Sequence, residues 1–251
     1  MQQKDIVQKP LNVLISILFL IACWHLLSVV LNTPALAPPL EAFKSFFQLI
    51  TGDLLPHIKI SFYRVGVSLV ISTLLGVPLG LYLGKNSRAD EFSAPLIYLT
   101  YPIPKVVFLP VFLILLGIGN LSKIVLITLT IFYLILVTTR DAARNLQREY
   151  VQSVKSLRAN EWELYRHVYF PACLPAILTS LRLGLGIAMS VLFLVETYAT
   201  QEGIGYFIMS SWSSLAYDQM FAGIIAMGLM GFLLYLLLDA CERVLCSWVH
   251  L

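Results

Sequence analysis

The sequence predicts an all-α integral membrane protein with about six transmembrane helices. Apolar residues make up 59% of the 251 residues and charged residues only 12%, whereas soluble domains are ~45–50% apolar and ~25% charged. The apolar residues are gathered in runs close to the ~20 residues that a helix needs to cross a bilayer. These runs are continuous and lack a period of two, so they favour helices over barrel strands. Residues 1–251 are predicted to form a single transmembrane domain.

Six apolar runs are predicted to span the membrane. In chain order they comprise residues 11–31, 63–84, 94–117, 121–139, 174–199 and 220–241. The first run follows Lys4 and Lys9 and is longer than the ~7–15-residue core of a signal peptide. It is therefore predicted to be an uncleaved span.

The uneven distribution of lysine and arginine predicts the orientation of the chain. If the spans alternate in direction, one side receives the N-terminal lysines, the 85–93 loop, the 140–168 loop with six basic residues, and Arg243. The other side receives four basic residues: Lys44, Lys59, Arg64 and Lys123. The segment 200–219 on that side contains no lysine or arginine. Both termini and the 140–168 loop are therefore predicted to be cytosolic.

Two patterns predict further structure around the second span. In the preceding segment 33–62, predicted to lie outside, the stretch EAFKSFFQLI mixes apolar and polar residues and is predicted to form an interfacial helix. Within the span, Gly76, Gly80 and Gly84 recur every four residues and place a smooth stripe on one helix face. Such a stripe lets a neighbouring helix approach closely, although glycine is also common in membrane helices for other reasons.

Prolines interrupt the third span at Pro102, Pro104 and Pro110. Each lacks a backbone donor and disfavours helix at the residue before it. Broken helices are tolerated in a membrane where they line a cavity or pack within protein. Lys105 lies in this broken region and is therefore a candidate pathway-lining residue. The alternatives are that it snorkels to the surface or makes a structural pairing.

Two ionisable residues lie in the fifth predicted span. Arg182 is near its cytosolic start and Glu196 is near its outer end. Both side chains can extend to the lipid headgroups, which is the simplest interpretation. Because ionisable residues inside spans also mark transport pathways, Glu196 is the second candidate pathway-lining residue.

The region Arg140–Pro175 is the longest stretch that is both polar and helix-prone, and predicted spans flank it. A charged helical segment in this position is most simply a docking surface for a cytosolic partner. Val151, Val154 and Leu157 recur every three residues on one side of a short helix, and Trp162 continues this apolar surface. The alternative is that the surface packs back onto the membrane helices.

The sequence predicts no catalytic site and no cofactor. Four cysteines occur without a CxxC pair, and they are interpreted as small hydrophobic residues: Cys23, Cys173, Cys241 and Cys246. No zinc-protease, nucleophile-elbow or phosphate-loop motif is complete. The net charge is only +3, and the confinement of basic residues to particular loops does not predict nucleic-acid binding.

The cytosolic loop resembles that of permease subunits of bacterial ABC importers, which carry the pattern E-A-A-x3-G-x9-I-x-L-P. The literal Asp141-Ala142-Ala143 is the wrong register, because Gln147 would then replace the glycine and Asn160 the final proline. The register that matches better therefore begins further along the loop.

In the better register the pattern begins at Gln152-Ser153-Val154. Arg158 then stands at the glycine, Val168 and Phe170 at the apolar positions, and Pro171 at the proline. The apolar end and Pro171 match, whereas Gln152 and Arg158 depart from the pattern. The resemblance implies a coupling loop at about 140–173 whose contacts come from Gln152, Ser153, Val154, Leu157, Arg158, Ala159, Trp162 and Pro171.

Short motifs outside the loop resemble the nitrate, sulfonate and taurine type of these permeases. They are His57, Ser61 and Arg64; Pro102, Pro104 and Leu109-Pro110; Gly117-Ile118-Gly119; Leu181-Arg182 with Gly184; Glu196; Gly203-Ile204-Gly205-Tyr206; and Asp239. Their order and spacing cover about residues 35–248.

The resemblance implies a type I ABC importer permease in a bacterial plasma (inner) membrane. A second copy of the permease would complete the pore, two ABC ATPase subunits would dock on the loops, and an extracytoplasmic binding protein would deliver a small solute. The chain itself would then not be an enzyme. The family handles alkanesulfonates, taurine, nitrate, bicarbonate and vitamin precursors.

The departure at Arg158 raises a specific expectation. In relatives the glycine lies at a turn between two short helices, where a positive φ is easy, and arginine is disfavoured there. Asn160 tolerates that conformation better, so the turn is expected to shift toward it. Gln152 in place of glutamate keeps a hydrogen-bonding group and loses a charge.

The sequence leaves two rival functions open. An ATP-independent secondary transporter would need ion-coupling carboxylates near the midplane and an internal repeat, and the sequence contains no such repeat. A membrane enzyme or redox subunit would need paired ligands or a catalytic constellation, and the sequence contains neither. Neighbouring genes for an ATPase and a secreted binding protein would distinguish the importer from both.

Overall fold

The computed structural model describes residues 10–198 and 200–246, and helices joined by short turns make up this part of the chain. Five helices are long and apolar enough to cross a membrane, and a bent pair of helices raises the number to six if the pair forms one span. This confirms the predicted fold class and the predicted number of spans. Lys4 and Lys9, which support the predicted orientation, lie outside the described residues.

Ten longer helices are described, together with a single 3₁₀ turn at Lys105–Phe108. They are α1 Pro10–Leu31, α2 Pro39–Leu49, α3 Leu54–Lys85, α4 Ser87–Thr100, α5 Leu109–Leu116, α6 Asn120–Arg144, α7 Arg148–Ser156, α8 Glu161–Thr197, α9 Ile204–Ser213 and α10 Tyr217–Leu245. The core lies between α3, α6 and α8, where Ile127, Ile131 and Leu192 are completely buried.

Two spans begin earlier than hydropathy predicts. Helix α3 starts at Leu54 rather than near residue 63, and α8 starts at Glu161 rather than near residue 174. The added turns mix polar with apolar residues, and backbone hydrogen bonding continues through them although a continuous apolar run does not. Hydropathy therefore marks the continuously apolar part of a helix and misses the turns of mixed composition that precede it.

The predicted glycine stripe is confirmed as the contact between α3 and α6. A Cβ atom on Gly80 would lie 2.8 Å from the carbonyl oxygen of Leu136, and one on Gly76 would lie 3.0 Å from Ile135 Cγ2. A Cβ atom on Gly84 would collide with the backbone of α6 in the same way. The two helices therefore approach at a distance that a larger side chain would prevent.

The predicted interruption of the third span is confirmed, but only two of its three prolines cause it. Helix α4 ends at Thr100, Pro102 and Pro104 lie in the break, and the axes on the two sides differ by 78°. Pro110 instead occupies the first turn of α5, where a missing N–H leaves no hydrogen bond unmade. Pro110 starts a helix rather than breaking one.

The stretch predicted to form an interfacial helix is α2. Ala42, Ser45 and Phe46 form its buried side, and the Ser45 hydroxyl donates to Asp218 Oδ2 of α10 at 2.6 Å. Leu40 on the opposite side is exposed. The helix is confirmed, and its placement at a membrane interface stays a prediction.

Candidate functional site

A buried ion pair joins α3 to the end of α8. Arg64 Nη1 lies 2.7 Å from Glu196 Oε1, and the two side chains are 2% and 0% exposed. The Ser61 hydroxyl lies 2.8 Å and 2.9 Å from the two carboxylate oxygens, and the Gly205 N–H donates to Oε2 at 2.9 Å. Both oxygens of this buried carboxylate are therefore hydrogen-bonded.

The guanidinium of Arg64 extends the network to two further elements. Its Nε donates to Asn120 Oδ1 at the start of α6 over 2.9 Å, and its Nη1 donates to the Glu202 carbonyl over 3.0 Å. One arginine thus connects α3, α6, α8 and the segment between α8 and α9. Arginine suits this position because its planar group presents several donors in fixed directions.

The start of α9 is held against the same network by its backbone. The Ile204 N–H donates to Ser61 Oγ at 2.8 Å, and the Gly203 N–H donates to His57 Nδ1 at 3.1 Å. Gly203 has φ +114°, and a Cβ atom there would lie 2.5 Å from the oxygens of Glu196. The Gly203-Ile204-Gly205 motif is therefore explained by a close approach of backbone to carboxylate.

Glu196 does not extend to the lipid headgroups, so the simplest interpretation from sequence is wrong for this residue. A long carboxylate near a helix end can reach water, but here Arg64 and Ser61 provide a fully satisfied buried site instead. A buried ion pair that is completely hydrogen-bonded favours one particular arrangement of the helices around it. The pathway-lining role of Glu196 stays a prediction.

Two buried lysines bind backbone carbonyls that helix breaks leave free. Lys105 Nζ donates to the carbonyls of Thr100 and Ile103 at 2.6 Å and 2.8 Å and lies 4.4 Å from the ring centroid of Tyr133. Lys123 Nζ donates to the Ile118 carbonyl at 2.6 Å. This geometry agrees with the structural pairing considered for Lys105, and its pathway-lining role stays a prediction.

The sequence contains the network residues in short motifs but does not indicate a common role for them. His57, Ser61 and Arg64 are spaced four and three apart, which places them on one face of a helix. An arginine on that face and a glutamate in another span are opposite charges that lipid would not tolerate singly. These two observations were the available signal, and the partnership itself depends on tertiary packing.

The turn of the predicted coupling loop lies between α7 and α8, and Arg158 adopts φ +61° there. The expected shift of the turn to Asn160 is wrong. Asn160 has φ −77° and caps α8: its Oδ1 accepts from the Glu163 N–H at 2.9 Å, and its own N–H donates to Glu163 at 2.7 Å. Because Asn160 is used as the cap, Arg158 takes the left-handed conformation at a cost of ~1–2 kcal/mol.

Two large apolar side chains are exposed on either side of this turn. Leu157 is 79% exposed and Trp162 is 71% exposed. Val151 and Val154 pack against the core, so the alternative of packing onto the bundle holds for that part of α7 only. Of the other predicted contact residues, Gln152 and Ser153 are exposed, and Ala159 and Pro171 are partly buried.

Ion pairs attach the region around the turn to the membrane helices. Lys85 at the end of α3 pairs with Glu161 and lies 4.1 Å from the ring centroid of Tyr165.

Arg140, predicted as a loop charge, is instead buried in α6 and pairs with Asp90 of α4. Helix α6 extends past the apolar run, so this arginine belongs to the bundle rather than to a free docking surface.

A π-helical turn at Tyr165–Tyr169 precedes Pro171 inside α8. Proline cannot donate to the carbonyl four residues before it, and its ring clashes with that carbonyl. The wider turn accommodates this clash without ending the helix, so α8 runs from the turn at Arg158 past Glu196. In the described part of the chain, no group of three or more His, Cys, Asp or Glu side chains is arranged to hold a metal ion.

Comparison with known proteins gives consistent matches. A family model described as "binding-protein-dependent transport system inner membrane component" matches residues 76–249. The taurine transport system permease protein TauC of Escherichia coli (strain K12) is 32% identical over 232 residues, covering 90% of this chain and 84% of that protein. The putative aliphatic sulfonates transport permease protein SsuC of Bacillus subtilis (strain 168) is 29% identical, covering 91% and 84%.

Two further comparisons widen the range of similar proteins. The formylaminopyrimidine transport permease protein ThiX of Halalkalibacterium halodurans is 25% identical and covers 92% of this chain and 93% of that protein. A chain of the methionine ABC transporter MetNI in an inward-facing conformation matches with a TM-score of 0.65 and 16% identity, covering 76% of this chain and 95% of that chain. At this identity the structural match establishes the fold alone.

Proposed function

The chain belongs to the inner membrane components of binding-protein-dependent transport systems, and from this premise we propose that it forms the path of an ATP-driven importer for a small solute. Its relatives and fold make it an ABC importer permease, a multi-pass membrane protein of the type I fold. The proposal adds that separate ATPase subunits drive transport and that an external binding protein delivers the solute.

The observation that carries the proposal is the exposed apolar pair Leu157 and Trp162 beside the turn at Arg158. Large apolar side chains that remain exposed on a charged segment are expected to be covered by a partner. Burial of Leu157 in a groove of the ATPase would contribute ~1.5–3 kcal/mol per permease subunit. Gln152, Ser153 and Ala159 would lie at the same contact.

A displacement of the turn would be transmitted through helices rather than through a flexible loop. Glu161, the first residue of α8, is paired with Lys85 at the end of α3. Helix α8 then continues from the turn to Glu196. Closure of two ATPases on two permease copies would therefore move both helices and switch the pore between inward and outward access.

We propose a small anion of the sulfonate type as the solute. Support comes from the names of TauC and SsuC, whose printed solutes are taurine and aliphatic sulfonates, whereas ThiX is named for formylaminopyrimidine. Measurement of the ligand captured by the partner binding protein tests this choice. Capture of an uncharged pyrimidine instead would contradict it.

The coupling role is tested by Leu157→Asp in the full transporter. The substitution removes an apolar contact and places an unpaired carboxylate in it, so the ATPase should no longer co-purify with the permease. Leu215→Asp is the matched control, because Leu215 is 69% exposed on the connection between α9 and α10, which is predicted to lie outside. That variant should retain the ATPase.

Binding-protein-stimulated ATP hydrolysis is measured alongside co-purification. Normal co-purification and normal stimulation in Leu157→Asp would contradict a coupling role for this turn. Solute uptake by the permease alone, without any ATPase, would identify the rival secondary transporter. Loss of the permease itself from the membrane would mean that Leu157 serves packing.

A further inference from the structure

An open groove of 580 Å³ lies between the last turns of α3 and the first turns of α8. Val77, Pro78 and Leu81 line it from α3, and Trp162, Arg166 and Phe170 line it from α8. This volume falls within the ~300–1,000 Å³ range of small-molecule sites in proteins. Nearly all of the lining is apolar.

Arg166 is the charged member of this lining, and the residue is exposed. Within residues 10–198 and 200–246, no carboxylate lies within 4.0 Å of it. The acidic residues at the start of α8 are already engaged, Glu161 with Lys85 and Glu163 with the Asn160 cap. The groove therefore offers an unpaired cation beside an apolar floor.

The polarity of the groove lining also changes from one end of the groove to the other. Helix α3 has 32 residues and is ~48 Å long, so its ends extend past a hydrocarbon core of ~30 Å. Trp162 lies near the start of α8, whereas Phe170 and Val77 lie further toward the middle of their helices. Aromatic and basic residues at one end with an apolar floor at the other match the polarity profile of a lipid leaflet.

We propose that this groove binds an anionic phospholipid of the adjoining leaflet. The phosphate group would lie at Arg166, and an acyl chain would lie along Val77, Leu81 and Phe170. The positive charge favours an anionic over a zwitterionic headgroup, as basic pockets between membrane helices do. The proposal requires that α3 and α8 span the membrane. Because Trp162 lines the groove and also belongs to the proposed ATPase contact, the test is made both with and without the ATPase.

Quenching of Trp162 by brominated lipids tests the proposal. Replacement of Trp24, Trp212 and Trp248 by phenylalanine leaves Trp162 as the single tryptophan, whose fluorescence is excited selectively over that of tyrosine, and a second variant retaining only Trp212 is the matched control. Each full-length chain is reconstituted, with and without its ATPase, in vesicles containing phosphatidylglycerol or phosphatidylcholine with brominated acyl chains. Trp212 is 53% exposed on α9, away from the groove.

Brominated phosphatidylglycerol should associate near Trp162 about fivefold more strongly than brominated phosphatidylcholine, as expected for one basic residue at an anionic headgroup. Arg166→Gln should abolish this preference. Arg88→Gln, which removes an exposed arginine of α4 outside the groove, should leave it unchanged. Trp212 should be quenched equally by both lipids.

Four results would overturn the proposal. Equal quenching of Trp162 by both lipids would mean that the headgroup is not bound. Equal loss of preference in Arg88→Gln and Arg166→Gln would assign it to general surface charge. If neither lipid quenches Trp162, protein rather than lipid fills the groove. If quenching occurs without the ATPase and is lost when the ATPase is present, the ATPase fills it.

Discussion

The two ends of α8 use charged and apolar residues in opposite ways. At the Glu196 end, the charged side chains of Glu196 and Arg64 are buried. They pair with each other, and their remaining hydrogen bonds go to other side chains and to backbone groups. At the Glu161 end, Leu157 and Trp162 are large, apolar and exposed. The buried charges of the first end find their partners within one chain, whereas the large apolar side chains of the second end are left exposed. This difference separates the part that maintains the shape of the permease from the part that we propose engages a partner.

The largest expected effect concerns the sides of the membrane on which the two ends lie. Single cysteines at Asn145 and Ser213, introduced after replacement of the four native cysteines, should be labelled in opposite ways. An impermeant thiol reagent on whole cells should reach only the cysteine at position 213, since basic loops stay in the cytosol. Labelling at 145 alone would reverse the proposed orientation.

Removal of Glu196 should destabilise the protein strongly. Glu196→Ala leaves Arg64 buried without a counter-charge, which typically costs ~3–5 kcal/mol, so the midpoint of thermal unfolding in detergent should fall. Glu202→Ala is the control, because only the backbone carbonyl of Glu202 joins the network. The double variant Arg64→Met with Glu196→Leu should be more stable than the single variant. Unfolding of Glu196→Ala at the wild-type temperature would refute a structural role for the pair.

A methyl group at Gly203 should disturb the same end to a smaller extent. Gly203→Ala forces a non-glycine residue to φ +114° beside the Glu196 carboxylate, and strain of this kind costs ~1–3 kcal/mol. Gly186→Ala on α8 faces open space and should be neutral or stabilising by ~0.5–1 kcal/mol. Thermal unfolding of both variants tests the contrast, and equal stability would mean that α9 does not need this close approach.

The smallest expected effect is at the other end and has the opposite sign. Arg158→Gly should stabilise the protein by ~1 kcal/mol, because glycine adopts φ +61° without the clash that arginine incurs. Ala159→Gly is the neighbouring control, since Ala159 does not have a positive φ, and it should bring no gain. A gain of equal size in both variants would attribute the effect to general flexibility rather than to strain at the turn.

Much of the fold could be predicted, and the errors follow one pattern. The number of spans, the close approach of another helix to the glycine stripe of α3 and the break at Pro102 and Pro104 all depend on local composition. The assignments of Arg140 and Glu196 were wrong in environment, because a charged residue was assumed to lie in a loop or reach a headgroup. Each instead has an opposite charge from a distant helix.

Composition and spacing within the sequence determined that the chain crosses a membrane, about where its spans run and that one of them is broken at Pro102 and Pro104. These properties depend on the hydropathy and backbone preferences of neighbouring residues, which can be read along the chain. Only the tertiary structure decided that Glu196 meets Arg64, that Lys105 binds carbonyls and that Asn160 caps α8 rather than taking the turn. Buried polar groups must find partners, and the identity of a partner depends on which helices pack together rather than on the residue itself.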